Sequence, residues 1–141
     1  MAAARGFWLV KSEPSAYSWD QFVAEKGAIW SGVRNPMARN NLAAMKQGDA
    51  VLFYHSGEGK HVVGIARVTR EAYPDPSADD PKWLVVDLAP VKPLAQAVTL
   101  TAIKAEKSLA EIALVRMSRL SVAPLPRAAF DKILAMGKTK P

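Results

Sequence analysis

The segment at residues 30–40 gathers side chains that could bind a nucleotide. It reads Trp-Ser-Gly-Val-Arg-Asn-Pro-Met-Ala-Arg-Asn. Asn35 can cap a helix that begins at Pro36, because the N–H that proline lacks would have no partner in the first helical turn. The free N–H groups and partial positive charge of a helix start favour an anion such as phosphate. With Arg34, Arg39 and a ring on which a base could stack, the segment points to nucleic acid.

Four tryptophans, at positions 8, 19, 30 and 83, could contribute such a ring. Most tryptophans fill a core, and we expect this of Trp8 and Trp83, which lie in apolar runs. Trp19 falls in the first turn of a predicted helix and could pack on its surface. Trp30 precedes a serine and a glycine, and glycine lets a ligand approach the backbone closely. Core and pocket wall are both open roles for Trp30.

Polar side chains at two other strand ends could also reach a ligand. Lys11 and Ser12 end the first apolar run, and Ser118 and Arg119 begin a late one. Strand ends and the loops beyond them are where a rigid sheet presents binding groups. An arginine there is most often a surface or ion-paired residue, but its planar guanidinium could equally reach a phosphate or a base edge.

The run Tyr54-His55-Ser56 ends a predicted strand at a glycine-rich hairpin. Alternation along the strand places Tyr54 and His55 on opposite faces. A histidine at a strand end is usually a hydrogen-bonded structural group. Ser56 and Glu58 suggest a serine–histidine–acid triad, but neighbours in sequence rarely have triad geometry and no Gly-x-Ser-x-Gly is present. His55 and His61 lack a third ligand at a fixed spacing, so we expect no metal site.

The composition restricts the class of protein. A chain of 141 residues can bury a core, and we expect one domain over 1–141 with its core at about 6–136. The absence of cysteine excludes disulfides and thiolate chemistry. No apolar run approaches a membrane span, and the start is charged too early for a secretory signal. We therefore expect a cytoplasmic protein that does not bind a membrane.

The charge is uneven along the chain. The formal net charge of +6 and the isoelectric point near 9.7 favour a polyanionic partner. Basic residues outnumber acidic ones at 99–141. Acidic residues gather at 75–81, a segment that we expect to form a solvated loop.

Hydrophobic periodicity predicts about five strands with short helices between them. The predicted strands cover 7–11, 49–55, 61–69, 83–88 and 119–122. The predicted helices cover 18–27, 36–48, 99–104, 109–114 and 127–136, and the first has the outline of a capping box. The glycines at 57 and 59 favour an antiparallel hairpin. This pattern predicts an α+β domain on a small curved sheet or barrel.

Several separate motifs together resemble the EVE domain family over about residues 6–136. The matching segments are WLVKSEP at 8–14, W-x-GVRN at 30–35, ARN at 38–40, FYHS at 53–56, EAYPD at 71–75, PKW at 81–83 and SRLSV-x-PL at 118–125. Pro36 departs from the family, in which we expect a larger and often aromatic residue. The pocket shape, and with it the base preference, could therefore differ here.

The resemblance implies a PUA-like fold, an α+β pseudo-barrel of about five or six mostly antiparallel strands with short helices around it. EVE domains are similar to the nucleic-acid-binding YTH and ASCH domains, and the resemblance implies reading of a modified base in DNA, particularly a modified cytosine. Bacterial members often stand alone. A flipped base would enter a pocket, stack on a ring and be tested at its edge. We expect a non-enzymatic monomer that binds nucleic acid, with no cofactor and no catalytic residues.

The resemblance also implies a set of site residues. Those expected to border the pocket are Trp30, Arg34 and Asn35, then Tyr54, His55 and Ser56 on a second wall, with Lys11, Ser12, Ser118 and Arg119. Trp30 or Tyr54 would stack on the base. The candidate edge readers are Ser12, Asn35 and His55. The candidate phosphate contacts are Arg34, Arg39 and Arg119.

Two other functions stay open from the sequence. The PUA-like relationship also suits a module that binds a modified base in RNA, which the 2′-hydroxyl would distinguish from DNA. An enzyme with His55 as general base is the weaker alternative, because the chain offers no evident nucleophile, metal or paired carboxylates.

Overall fold

The structure, a computed structural model, describes residues 6–31, 33–57, 59–117 and 119–140. Its elements are β1 (Phe7–Ser12), α1 (Trp19–Glu25), β2 (Ala28–Trp30), α2 (Pro36–Ala44), β3 (Ala50–His55), β4 (His61–Pro74), β5 (Leu84–Thr99), α3 (Leu100–Ala105), α4 (Ala113–Arg116), β6 (Val122–Pro124) and α5 (Arg127–Met136), with a 3-10 turn at Lys107–Leu109 before α4. The predicted α+β class is confirmed. None of the described helices is both long and apolar enough to cross a membrane.

One mixed six-stranded sheet, in the order β2-β5-β4-β3-β1-β6, curls into a half-barrel. The predicted hairpin of β3 and β4 is confirmed, and β4 continues antiparallel against β5. Register shifts along β4 and β5 bend both long strands, as bulges do. Only β1 and β3 pair in parallel within the described sheet, because the chain between them crosses over through α1, β2 and α2.

Each face of the sheet carries its own apolar core. Alternation along β1 sends Trp8 and Val10 into a first core, which α1 and α2 cover, and Leu9 into a second core, which α3 and α5 cover. Phe53 lies in the first core and Tyr54 in the second, so the predicted alternation of β3 is confirmed.

Helix α1 starts as its sequence predicts. Ser18 accepts a hydrogen bond from the backbone N–H of Gln21, and the Gln21 side chain accepts one from the backbone N–H of Ser18. Trp19 is buried rather than packed on the surface of the helix. A Cβ at Gly64 would stand 2.5 Å from Trp19 Cζ2, so this glycine makes room for the ring.

Two predicted helices end differently in the structure. Helix α2 stops at Ala44, because Met45 turns extended and buries its side chain, and Gly48, with a φ of 92°, serves the turn before β3 instead. The predicted helix at 109–114 is broken into the 3-10 turn and α4. Ile112 is extended between them, and Leu109 and Ile112 both pack into the second core.

Candidate nucleic-acid interface

A cleft of about 1150 Å³ opens where the end of β1 faces β2 and the start of α2. Five of the predicted site residues line it: Lys11, Ser12, Trp30, Arg34 and Asn35. They come from two separate stretches of chain, 11–12 and 30–35, which the curled sheet brings together. The cleft lies at the margin of the first core, so its floor is apolar and its rim is polar.

Trp30 connects the core to the cleft. It ends β2, where it pairs with Val86 of β5. Its ring packs edge-on against the rings of Tyr17, Phe22 and Phe53, with centroids 6.3, 6.4 and 5.5 Å away. Only 8% of Trp30 is exposed. The ring therefore offers the cleft a limited apolar surface that its neighbours hold rigidly.

Asn35 caps α2, as its sequence predicts. Its Oδ1 accepts a hydrogen bond from the Ala38 N–H at 3.0 Å. The cap uses the amide oxygen, and the two N–H bonds of the same amide are donors that a ligand could use. Asn35 is exposed and lines the cleft, so it can present donors to an acceptor atom on a base edge.

Lys11 and Ser12 bring β1 to the cleft. Ser12 Oγ donates a hydrogen bond to the Tyr17 carbonyl at 2.5 Å, which ties β1 to the loop before α1. The Lys11 ammonium lies 5.9 Å from the centroid of the Tyr54 ring. Burial lowers the pKa of Lys11 from its usual value, because a desolvated ammonium is less stable than a hydrated one.

Arg34 is held by a buried carboxylate. Its Nη1 donates to Asp75 Oδ2 at 3.1 Å, and the Asp75 side chain is fully buried while 42% of the Arg34 side chain is exposed. The expectation of a solvated acidic loop is therefore wrong for Asp75. This residue also accepts hydrogen bonds from Ser77 N and Ser77 Oγ. The pair fixes Arg34 in position and offsets much of its charge.

Trp83 lies beneath a group of cations. The prediction that it fills the core is wrong, because it precedes β5 and is only half-buried. The guanidinium carbons of Arg34 and Arg39 each lie 5.7 Å from its ring centroid, and Lys82 Nζ lies 5.0 Å away. Such cation–π contacts hold positive charge at a defined place on the surface. Arg39 also donates from Nε and Nη2 to Asn40 Oδ1.

The structure does not bring the predicted second wall to the cleft. Tyr54 is 3% exposed in the second core, on the other face of the sheet from Trp30. His55 lies opposite Ser12 in the register of β3 with β1, and its Nε2 accepts a hydrogen bond from the Trp19 N–H at 3.0 Å. Ser56 donates its N–H to the Ser12 carbonyl. His55 and Ser56 thus support the strand end and helix that border the cleft.

The predicted late strand begins at Val122 rather than at Arg119, which lies in the turn before it, next to the cleft. Arg119 lines a smaller neighbouring groove, and Asn35 is common to groove and cleft. Ser118 lies outside the described residues.

Several cleft residues were missed by sequence reasoning. The polar ones are Glu13, Tyr17, Glu25, Lys26, Ser31, Thr69, Asp87 and Ser121. The Tyr17 ring packs edge-on against the Trp30 ring, and the Tyr17 hydroxyl donates a hydrogen bond to Glu25 Oε1 at 2.9 Å. Burial and this hydrogen bond raise the pKa of Tyr17 to about 12. Tyr17 follows the Ser-Glu-Pro turn after β1, and no local pattern marked it as a ligand residue.

The cleft rim carries both signs of charge. Its carboxylates include Asp87, which accepts a hydrogen bond from the Tyr73 hydroxyl at 2.5 Å. Burial and that bond raise the pKa of Tyr73. Carboxylate oxygens can accept from an exocyclic amine such as N4 of cytosine. In the described part of the chain, no three histidine or acidic side chains converge as metal ligands would.

Solved structures share this architecture. A protein from Rhodopseudomonas palustris is 50% identical, with a TM-score of 0.90 over 94% of this chain and 93% of that one. The human THYN1 protein in complex with 5-methylcytosine-containing DNA is 32% identical, with a TM-score of 0.88 over 96% of this chain and 99% of that one. The YTH domain of a Zygosaccharomyces rouxii protein, in complex with N6-methyladenosine RNA, has a TM-score of 0.62 over 99% and 93% of the two chains at 16% identity. The last likeness concerns the fold alone and confirms its PUA/YTH-like kind.

Sequence comparison gives the same relationship. Mouse thymocyte nuclear protein 1 is 36% identical over 169 residues, covering 96% of this chain and 75% of the mouse protein. The EVE domain matches residues 6–136, nearly the whole described chain. This chain belongs to the EVE domain family.

Proposed function

We propose that this chain is a non-enzymatic module that binds DNA and reads a modified base, with a modified cytosine as its ligand. The observation that carries the proposal is the cleft itself, where the Trp30 ring, Ser12 and the capping amide of Asn35 meet beside Arg34. The human THYN1 protein, which shares this fold at 32% identity, is found in complex with 5-methylcytosine-containing DNA.

The size and chemistry of the cleft suit an extruded base. Its volume of about 1150 Å³ exceeds the range of roughly 300–1000 Å³ that is usual for small-ligand pockets. The space can therefore hold a base together with its sugar. An apolar floor with a few polar groups at the rim is what a flipped base requires, since its faces need stacking and its edge needs hydrogen bonds.

Cations lie where a strand entering the cleft would pass. Arg39 and Lys82 lie over Trp83 beside Arg34, and Arg119 lies on the other side of Asn35. Because Asp75 already pairs with Arg34, the half-buried Arg39, which contacts the Asn40 amide and the Trp83 ring, is the stronger candidate for a phosphate contact. The formal net charge of +6 adds a long-range attraction to a polyanion.

The surroundings of His55 support binding rather than catalysis. Its Nε2 is occupied by the Trp19 N–H, so in the neutral ring Nδ1 carries the proton. A histidine in that arrangement has no basic nitrogen available to take a proton from a substrate. A structural role for His55 follows from its geometry.

A binding screen tests the proposal. Fluorescence anisotropy would measure Kd for duplexes that carry one cytosine, 5-methylcytosine or another modified cytosine at a single position, at low and moderate salt. We expect tighter binding to at least one modified duplex than to its unmodified match. Equal affinity for all of them, or no binding at low salt, would contradict the proposal.

Competition with RNA of the same sequence and modification tests whether the chain prefers the modified base in DNA or in RNA. The two strands differ at the 2′-hydroxyl, which is the group that a protein uses to distinguish them. We expect DNA to compete more strongly. Preference for the RNA competitor would replace the DNA proposal with the RNA alternative.

A further inference from the structure

A second groove, distinct from the cleft, lies on the other side of Asn35. Its volume is about 390 Å³, at the lower end of the range of roughly 300–1000 Å³ for small-ligand pockets. The described residues that line it are Asn35, Met37, Arg116, Met117, Arg119 and Leu120. We call these residues the methionine groove. Because Asn35 borders both spaces, a nucleic-acid strand that leaves the cleft past Asn35 would meet the methionine groove.

Two exposed methionines give this groove an apolar surface. Met37 is 48% exposed and Met117 is 41% exposed, although large apolar side chains are usually buried. Leu120, 5% exposed, connects them to the first core. A methionine thioether is flexible and polarizable and makes favourable contacts with aromatic rings of varied shape. The surface therefore suits a flat heterocycle whose identity can vary.

The charge at the groove favours an anionic occupant. Arg116 pairs with Glu111 at 2.9 Å, but both side chains are largely exposed, at 61% and 83%, so water screens the pair. Within the described ranges, no carboxylate lies at ion-pair distance from Arg119. An apolar surface that can hold an aromatic ring, next to a guanidinium with no carboxylate partner in the described residues, suits the base and the phosphate of a nucleotide.

We propose that the methionine groove is a subsite for the nucleotide next to the base held in the cleft. Met37 and Met117 contact the face of the neighbouring base, and Arg119 contacts the phosphate that links the two nucleotides. The inference rests on the proposed function, because it assigns the groove to the strand whose modified base occupies the cleft. Methionine contacts carry no hydrogen-bond pattern, so the subsite adds affinity with little preference for the identity of the neighbour.

A mutant cycle between protein and DNA tests the subsite. The probe is a duplex with one 5-methylcytosine, compared with duplexes in which the nucleotide on its 5′ or 3′ side is abasic. The protein variants are Met37→Ala and Met117→Ala, with Val91→Ala as the matched control, because Val91 is 51% exposed and lines neither space. Thermal unfolding checks that each variant is folded.

We expect each methionine variant to weaken binding to the intact duplex by roughly two- to tenfold. One of the two abasic duplexes lacks the base that the methionines contact, so the wild type should bind this duplex more weakly than the intact one by the same factor. The methionine variants should bind it as well as the wild type does, because the contact is already absent. Val91→Ala should match the wild type on every duplex. Arg119→Gln should make the negative slope of log K against log salt shallower by about one, whereas Arg127→Gln, at an exposed position on α5, should not change it.

The outcomes separate this inference from the proposed function. If the wild type prefers 5-methylcytosine but the methionine variants bind like the wild type, or lose the same factor on intact and abasic duplexes, the subsite is refuted and the cleft assignment stands. The groove would then be available to a protein partner. If the wild type binds none of the duplexes, the proposed function fails and the subsite fails with it.

Discussion

Trp30 serves the core and the cleft with one ring, and this dual role determines how it can be tested. Removing a buried tryptophan costs about 3–5 kcal/mol of unfolding free energy, so Trp30→Ala would weaken binding through the fold as well as through the ligand. A smaller ring separates the two effects. Phenylalanine fills part of the space among Tyr17, Phe22 and Phe53 and keeps an aromatic face.

We expect Trp30→Phe to lower the free energy of unfolding by roughly 1–2 kcal/mol and to reduce the affinity ratio of modified to unmodified DNA roughly three- to tenfold. The matched control is Phe130→Leu, which loosens the second core at a buried position on the other face of the sheet, outside the cleft. Urea unfolding and anisotropy titrations measure both quantities. If Phe130→Leu lowers the ratio as much as Trp30→Phe, the loss reflects stability and the ring does not contact the base.

His55 predicts a pH dependence of stability. Burial, and then repulsion from His61, lower the pKa of His55 below its ordinary value of 6.5, although Asp20 and Glu13 act in the opposite direction. The folded state therefore binds a proton less readily than the unfolded state. The contribution of His55 is complete above pH 6.5 and is lost as the pH falls through the lowered folded pKa. Protonation also removes the acceptor for the Trp19 N–H.

We expect the Tm of the wild type to fall as the pH is lowered from about 7 to 5.5, and His55→Gln, whose amide oxygen can still accept, to show a flatter profile. His61→Gln removes one cause of the low pKa and should give an intermediate slope. Differential scanning fluorimetry across this window measures all three. Parallel profiles for the wild type and His55→Gln would show that His55 does not control the titration.

Helix α2 is the element that connects the cleft, the methionine groove and the cations over Trp83. Its N-terminus is specified by local sequence, since Asn35 and Pro36 form a standard start. Its position is fixed by Ala38 and Leu42, which are fully buried in the first core. The packing of α2 therefore sets the position of Arg39 beside Trp83. No pairing visible in the sequence predicts that position.

Substitution of Asn35 separates helix capping from base reading. We expect Asn35→Ala to lower the free energy of unfolding by about 1 kcal/mol, because the Ala38 N–H loses its acceptor, and Asn35→Ser to keep most of the stability. Both variants lack the amide N–H donors and should lose discrimination between modified and unmodified DNA alike. If Asn35→Ser discriminates like the wild type, the amide does not read the base edge.

At the scale of the whole molecule, a formal net charge of +6 accompanies a cleft whose own rim has mixed charge. Affinity and discrimination are therefore expected to come from different parts of the surface. Phosphate contacts release counterions and make binding depend on salt, whereas contacts to the base decide which base is preferred.

Arg39→Gln tests this division. We expect it to weaken binding to modified and unmodified DNA by the same factor and to make the negative slope of log K against log salt shallower by about one. Arg127→Gln removes an equal charge from α5 and should leave the slope unchanged. Titrations at four salt concentrations measure the slope. A change in the affinity ratio between the two DNAs would place Arg39 in base reading instead.

Local sequence determined the parts of the fold whose interactions span a few residues. The Ser18–Gln21 capping box, the Asn35 cap, the alternation of β3 and the bounds of α5 could all be predicted, because each depends on backbone hydrogen bonds or side-chain periodicity within one element. The break at Ile112 could not, because packing against the second core decided it.

Only the tertiary structure decided the composition of the site. Arg34 pairs with Asp75, which is 41 residues away, and Tyr17 rather than Tyr54 lies beside Trp30. The family resemblance identified the segments that contribute to the site. The half-barrel decides on which face of the sheet each of their side chains lies. The parallel pairing of β1 with β3 and the curl of β4 and β5 set those distances, and such long-range pairings leave no periodic trace in the sequence.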